Sequence, residues 1–388
     1  MIILIDNPVQ ATLIFDCVFL IALLISARIK KFNQFFPISQ SHELKGLAIL
    51  FIVFSHIGYF LVTDHRFLFP LSIMAGVGVD LFLFLSGLGL TTSALKKKLS
   101  IFHFYKKNLL KLFTPFWLTL ILFLLLDFFV LKISYSQKFI QNAFIGFFPS
   151  ADLYKDLDSP LWYFSLILFY YLIFPLLFSK KRPWISAIFI YAVSYFILGQ
   201  HIVSLSWVSS FYRLHVIAFP LGMIAGWAFY ELHFDYKISK SRGYVWLKSI
   251  AHKIVEPDVL SQFKKHLFKI GYYAVIVLLI IFICYFSLYF GGQADPNKAQ
   301  VVSIITMLAI ICLFSLKKVE FKLLHLFGIY SYEIYLLHWP ILYRYDIFYK
   351  YLPSWVATVF YLIFFLLLAF ILKKISGFIL NIIKNETN

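Results

Sequence analysis

The sequence is poor in charged residues and in cysteine for a chain of 388 residues. Only 14% of the residues are charged, whereas 62% are hydrophobic and the mean hydropathy is +0.85. Because so few charges cannot cover the surface of a soluble domain of this length, the composition predicts an integral membrane protein. The three cysteines lie in apolar runs without paired or metal-ligand spacing, so we expect neither a disulfide framework nor a metal site: Cys17, Cys284 and Cys312.

Acidic residues are also scarce, with 18 Asp and Glu against 35 Lys and Arg. The resulting net charge of +17 does not require a nucleic-acid partner, because the basic residues are spread over many short segments instead of one patch. The first apolar run is preceded by Asp6 and has no basic start, so we expect it to remain in the mature protein.

Long apolar runs recur along the whole chain. A window of about 20 residues predicts eleven helical spans, at residues 9–28, 44–62, 71–92, 112–131, 160–179, 183–199, 209–230, 270–290, 299–316, 324–343 and 354–373. The fold class predicted is therefore all-α: a polytopic helical bundle of about 11 transmembrane helices that forms a single membrane domain over residues 1–388.

The basic residues between the spans predict an orientation. If the loops alternate sides, one side carries 27 of the 35 Lys and Arg residues and the other carries 8. Eight of the 27 lie in a long basic loop at 231–269. By the positive-inside rule, this asymmetry predicts an amino terminus outside the cell and a carboxyl terminus in the cytoplasm.

Lys45 and His56 stand eleven residues apart in the second apolar segment. Eleven residues make almost three helical turns, so both side chains fall on one helix face, separated by about 16 Å along the axis. Lys45 alone would be interpreted as a topology anchor at the membrane surface. His56 at mid-depth indicates a functional site, because an ionisable group in the bilayer is costly.

Asp80 in the third span is predicted to lie at nearly the same depth as His56. An imidazole and a carboxylate on neighbouring helices can form the pair in which the acid orients a general base. The alternative interpretation is a buried hydrogen bond with a purely structural role.

Five stretches, in order, resemble the signatures of membrane acyltransferase family 3. They are Leu44 to His56, Gly76 to Gly87, Ser159 to Leu177, Phe211 to Gly226 and Gly328 to Leu342, within a region from about 41 to 345. The resemblance implies a core of about ten spans, here with one additional amino-terminal span. It also implies transfer of an acyl group, commonly acetyl, from coenzyme A to a sugar hydroxyl. The family's basic residue and histidine, separated by ten residues, are matched by Lys45 and His56.

This resemblance suggests roles for further residues. Lys45, Lys107 and Lys111 are expected to meet the phosphates of acetyl-CoA as point charges. Candidates for binding the acceptor are Arg213, His338 and Trp162, although Arg213 and His338 are also typical of membrane-interface positions. No metal is expected to take part. Direct transfer with His56 as base suffices, and an acyl-enzyme on a side chain stays open, on Ser55, Ser86 or His56.

The sequence departs from the family pattern at three places. Ile167 and Leu168 stand where many members have an acidic pair, and Asn108 replaces one member of a basic pair before Lys111. Lysine also replaces the commoner arginine at position 45, which gives a point charge instead of a bidentate fork. These differences affect donor binding more than the reaction.

The function predicted is O-acylation of a cell-surface glycan or its lipid-linked precursor in a bacterial cytoplasmic membrane. The acyl donor would be acetyl-CoA, and a separate glycan-processing protein is a conceivable partner. The competing hypothesis is a transporter or flippase of a lipid-linked saccharide, in which Lys45, His56 and Asp80 would line a path. A glycan polymerase is a third alternative.

Overall fold

A computed structural model describes residues 3–29, 36–97, 99–146, 161–199, 212–239, 271–285 and 296–385. Within these ranges the chain is mostly helical, and two short strands, β1 (Ala27–Ile29) and β2 (Val319–Phe321), pair antiparallel. The predicted basic loop at 231–269 begins later than expected, because its first residues to 239 continue a helix. The rest of that loop lies outside the described residues.

Thirteen helices are described. They are α1 (Pro8–Ile25), α2 (Ile38–Ser55), α3 (Ala75–Lys96), α4 (Ile101–Leu126), α5 (Gln137–Phe144), α6 (Trp162–Leu177), α7 (Pro183–Gly199), α8 (Ala218–Ser239), α9 (Gly271–Tyr285), α10 (Pro296–Leu316), α11 (Lys322–Ile329), α12 (Ser331–Arg344) and α13 (Ser354–Asn385). A helical turn at 212–215 precedes α8.

Each of the eleven predicted spans overlaps a described helix. Among the described residues, seven helices are long and apolar enough to cross a membrane alone, whereas α6, α7 and α9 are apolar but shorter. The predicted span at 324–343 is not one helix, because α11 ends at Ile329 and α12 begins at Ser331. The helices fit a multi-pass membrane protein, and the count of eleven spans stays a prediction.

The second span is longer than predicted. It begins at Ile38 and runs through α2 without interruption into a π-helical turn at His56–Leu61. Lys45 therefore lies about two turns inside the helix, and His56 stands at the point where α-helical bonding changes to π-helical bonding. Single π turns are frequent at functional sites because they widen the helix locally.

Close packing at glycines holds α3 against α8. A Cβ atom at Gly87 would overlap the Phe219 carbonyl, and one at Gly222 would overlap the backbone of Phe84. Such contacts let two helix backbones approach closely, which is how membrane helices gain packing energy without a hydrophobic drive between them. The same helix α3 also packs on α2 through Gly78 and Ala48.

Ion pairs tie together the end of the bundle at which α2 begins and α3 and α10 end. Glu43 accepts hydrogen bonds from the Lys317 ammonium and, at 2.7 Å, from the Phe321 nitrogen. Arg28 on β1 pairs with Glu320 on β2 at 3.0 Å. Because Lys45 is also near this end, we call it the lysine end, and we call the other end, where α3 begins, the opposite end.

Replacing Gly87 tests the packing of α3 against α8. We expect Gly87→Val to lower the free energy of unfolding by about 1–3 kcal/mol, because overpacking forces the helices apart. Gly89→Val is the matched control on the same helix, since a Cβ there meets nothing within 4 Å. Thermal unfolding in detergent should separate the two variants, and equal midpoints would contradict the close approach.

Candidate active site

His56 forms a buried pair with His338 of α12. His56 Nδ1 lies 2.6 Å from His338 Nε2, and the two ring planes are within 4° of each other. The residues are 5% and 0% exposed, respectively. The turn at the end of the second span thus contacts a residue 282 positions later in the sequence. The pair therefore forms only when the bundle is assembled.

Backbone carbonyls determine which nitrogen of each ring carries the proton. His338 Nδ1 lies 2.9 Å from the Tyr335 oxygen and 3.1 Å from the Ile334 oxygen. A carbonyl oxygen only accepts, so His338 Nδ1 donates and its Nε2 is left with a lone pair. His56 Nδ1 must then donate to that lone pair. The lone pair of His56 therefore sits on Nε2, which has no hydrogen-bond partner among the described residues.

Aromatic side chains hold the histidine pair in place. Trp339 lies 5.0 Å from the His56 ring, Phe60 lies 5.8 Å from it, and Phe365 approaches the His338 ring edge-on at 6.4 Å. An apolar surrounding limits water, which strengthens the hydrogen bond between the rings and restricts their rotation. The His56 lone pair is thus presented in a fixed direction.

The predicted pairing of Asp80 with His56 is wrong. Asp80 Oδ1 instead accepts from His215 Nδ1 at 2.7 Å, and Oδ2 accepts from the Ser303 hydroxyl. The reason is the direction of the side chain. Gly78 faces α2, and two residues further along a helix the direction turns by about 200°, so Asp80 points away from α2, toward the residues before α8 and on α10.

His215 is a buried polar residue that the sequence interpretation did not select. It is 5% exposed and lies in the helical turn at 212–215, within the predicted seventh span. The rule that marked His56, that ionisable groups inside a span are functional until shown otherwise, applies equally to His215. The sequence instead suggested the neighbouring basic residue Arg213 as an acceptor-binding residue. Arg213 is exposed, and its guanidinium lies 5.7 Å from the centre of the Tyr195 ring.

A cavity of about 220 Å³ opens near the lysine end. Lys45 and Lys111, for which donor binding is predicted, both line this cavity. The remaining lining residues are mostly tyrosines and other apolar or neutral side chains: Phe82, Ser86, Asn108, Leu112, Tyr163, Ile167, Tyr171, Ser331, Tyr332 and Tyr335. Lys107 is not among them; it lies one turn before Lys111 on α4.

Tyrosine rings connect this cavity with the histidine pair. Tyr163 and Tyr335 both line the cavity and lie 5.3 Å apart, edge to face. Tyr335 in turn lies 6.3 Å from the His338 ring. Lys45, the tyrosines and His56 therefore follow one another along a continuous wall from the lysine end into the bundle.

The three predicted acceptor residues do not form one site. His338 is hydrogen-bonded to His56, Trp162 stacks on His215 at 5.6 Å, and Arg213 lies exposed.

Ser55, one of the candidate nucleophiles, accepts a hydrogen bond from the Ala75 nitrogen at 3.0 Å. That bond anchors the start of α3 against α2. Ser86, the other serine considered, lines the cavity.

The helices and the buried histidine pair define a multi-helix membrane protein with polar side chains inside its bundle. A family model described as an acyltransferase domain matches residues 43–374. Because the match covers most of the chain, the chain belongs to acyltransferase family 3, as the resemblance of its motifs indicated, and it is a membrane acyltransferase. No curated protein and no solved structure matches it.

The proton positions of the histidine pair can be measured directly. With histidine-selective ¹⁵N labelling, we expect His56 and His338 to show the Nδ1–H form, because the Tyr335 carbonyl orients His338 and His338 orients His56. In His338→Ala, the His56 signal should move toward the Nε2–H form that a solvated imidazole favours. An Nε2–H signal for His56 in the native protein would contradict the assignment.

Proposed function

We propose that this protein is an O-acyltransferase of a bacterial cytoplasmic membrane. It moves an acetyl or other short acyl group from acyl-CoA to a sugar hydroxyl of a cell-surface glycan or of its lipid-linked precursor. Family membership supports acyl transfer in general.

The Nε2 lone pair of His56, which has no partner in the part of the chain that the structure describes, carries this proposal. His56 Nε2 takes the proton of the acceptor hydroxyl while the hydroxyl oxygen attacks the thioester carbonyl carbon. The carbon–sulfur bond then breaks, and the departing thiolate takes the proton back from His56. A new ester bond replaces the thioester, and the imidazole returns to its neutral form, so His56 is regenerated after each transfer.

His338 supports the charged form of His56 during this exchange. When His56 gains a proton at Nε2, its Nδ1–H remains hydrogen-bonded to the His338 lone pair at 2.6 Å. A hydrogen bond from a charged donor is about twice as strong as a neutral one. His338 is therefore a positioning residue that takes the part which the sequence interpretation gave to Asp80.

The charge of the cavity favours an anionic donor. Lys45 and Lys111 line it, and none of the described residues that line it is a carboxylate. An anion in this cavity gains a favourable electrostatic interaction with each of the two lysines. The phosphates of coenzyme A supply that charge, and the long flexible arm that carries the thioester can follow the tyrosine wall over the distance of about 16 Å to His56.

The two ends of the bundle would then serve different substrates. The positive-inside rule places the lysine end in the cytoplasm and the amino terminus outside. Acyl-CoA is a cytoplasmic metabolite, so the donor reaches the cavity from the lysine end. The acceptor approaches from the opposite end, toward which the His56 segment and the start of α3 lie.

Replacement of His56 tests the reaction. We expect His56→Ala to reduce acetyl transfer from labelled acetyl-CoA to the membrane glycan fraction by about 10²-fold to 10⁴-fold, the range that general acid–base catalysis contributes. His103→Ala, at an exposed position on α4, is the matched control and should keep native activity.

Membranes compared at equal protein levels separate the possible functions. Loss of labelling in His56→Ala alone supports the acyltransferase with His56 as base. Equal labelling with and without the protein, together with glycan export that depends on His56, would instead establish the transporter.

Replacement of the cavity lysines tests donor binding. We expect Lys45→Gln and Lys111→Gln each to raise the KM for acetyl-CoA about tenfold or more, because a charge-assisted hydrogen bond contributes about 1.5–3 kcal/mol. The KM for the acceptor should stay within about twofold. Lys138→Gln, at an exposed position on α5, is the control. An unchanged KM for acetyl-CoA in both cavity variants would show that the phosphates bind elsewhere.

A further inference from the structure

The polar group at Asp80 is separate from the His56 pair and has a different construction. Asp80 is fully buried and receives two hydrogen bonds, from His215 Nδ1 at 2.7 Å and from the Ser303 hydroxyl. Both carboxylate oxygens are therefore satisfied. A buried carboxylate is expensive unless it is paired and hydrogen-bonded, so this group is held in one arrangement.

His215 presents a free lone pair or a free proton at its other nitrogen. Since Nδ1 is hydrogen-bonded to Asp80, the group that remains for a ligand is Nε2, which has no partner among the described residues. With Nδ1 protonated, neutral His215 is an acceptor at Nε2. The carboxylate fixes the tautomer and ring orientation, as in other acid and imidazole pairs. A buried, oriented acceptor of this kind suits a hydroxyl donor.

The surroundings of His215 suit a flat, partly apolar ligand that carries hydroxyls. The Trp162 ring lies nearly parallel to the imidazole, 5.6 Å away and inclined by 23°. On another side stands Gly76, where an added Cβ would be 3.8 Å from His215 Cε1, so no side chain fills this space. An aromatic face beside a single oriented polar group is typical of a small-molecule site.

The group lies near the opposite end of the bundle. Asp80 stands between one and two turns after the start of α3, and Ser303 about two turns after the start of α10. The first turn of α3 also connects this group with the active site, because Ala75 bonds to Ser55, the residue before His56. A ligand at His215 would therefore approach from the opposite end and not from the lysine cavity.

We infer that Asp80, His215 and Trp162 form the binding site for the acceptor sugar. One sugar hydroxyl donates to His215 Nε2, the apolar face of the sugar ring packs against Trp162, and Asp80 and Ser303 act as positioning residues. This inference rests on the proposed function for the kind of acceptor. It changes the role of Asp80 from partner of the base to orienting residue of the acceptor site.

Binding of glycan to an inactive protein tests this site independently of the reaction. We would purify the His56→Ala protein and measure its affinity for the glycan fraction extracted from the same membranes, and compare His56→Ala combined with His215→Gln. The added change should weaken glycan binding about tenfold or more, since it removes an oriented hydrogen bond to a buried site. Adding Asp80→Asn should also weaken it.

Coenzyme A binding to the same variants shows whether the protein is folded. It should stay within about twofold of the His56→Ala protein, because the lysine cavity does not include Asp80 or His215. Glycan binding that is unchanged by His215→Gln, or absent from the His56→Ala protein, would overturn the acceptor site. Absence of acetyl transfer in the native protein is a separate outcome, which would refute the proposed function instead.

Discussion

The hydrogen bond from His338 to its own helix backbone determines the chemistry of the histidine pair. Because the Tyr335 and Ile334 carbonyls only accept, they fix the proton on His338 Nδ1. His338 Nε2 then has to accept from His56, and this leaves the His56 lone pair on Nε2. The direction of a reactive lone pair is thus set by two backbone oxygens on a different helix. A rotation of α12 by a fraction of a turn would separate His338 from His56 and remove this orientation.

Helix α3 connects the two polar groups of the bundle. One side of it packs on α2 at Gly78, and another packs on α8 at Gly87, with backbone contacts that leave no space for a side chain. Between these contacts Asp80 projects toward His215 and Ser303. In a bilayer, where apolar burial provides little attraction between helices, such close contacts supply the packing energy. They also fix the position of a buried carboxylate that would otherwise be too costly to retain.

The sequence alone predicts much of this arrangement. The side-chain partners that it does not predict were missed for a definite physical reason. Hydropathy locates the helices, and the spacing of Lys45 and His56 places them on one continuous helix, because both patterns depend on local structure. Depth along a span follows from the same counting, which singled out Asp80 as a buried ionisable residue. Counting does not give the direction of Asp80 relative to its neighbours, which depends on which helices pack on α3. The partners His338 and His215 come from distant segments and needed the assembled structure.

His56 and His215 differ in the charge of their partners, and this difference suits different roles. His56 is oriented by a neutral imidazole, so no permanent charge opposes the gain and loss of a proton at its Nε2. His215 is oriented by a carboxylate, which holds the proton on Nδ1 and leaves Nε2 as an acceptor with a fixed direction for a ligand hydroxyl. A base that must release its proton to a departing thiolate gains from weak stabilisation of its protonated form, whereas a binding group gains from a fixed orientation. The neutral pair is therefore the better placed for proton exchange, and the charged pair for holding a substrate.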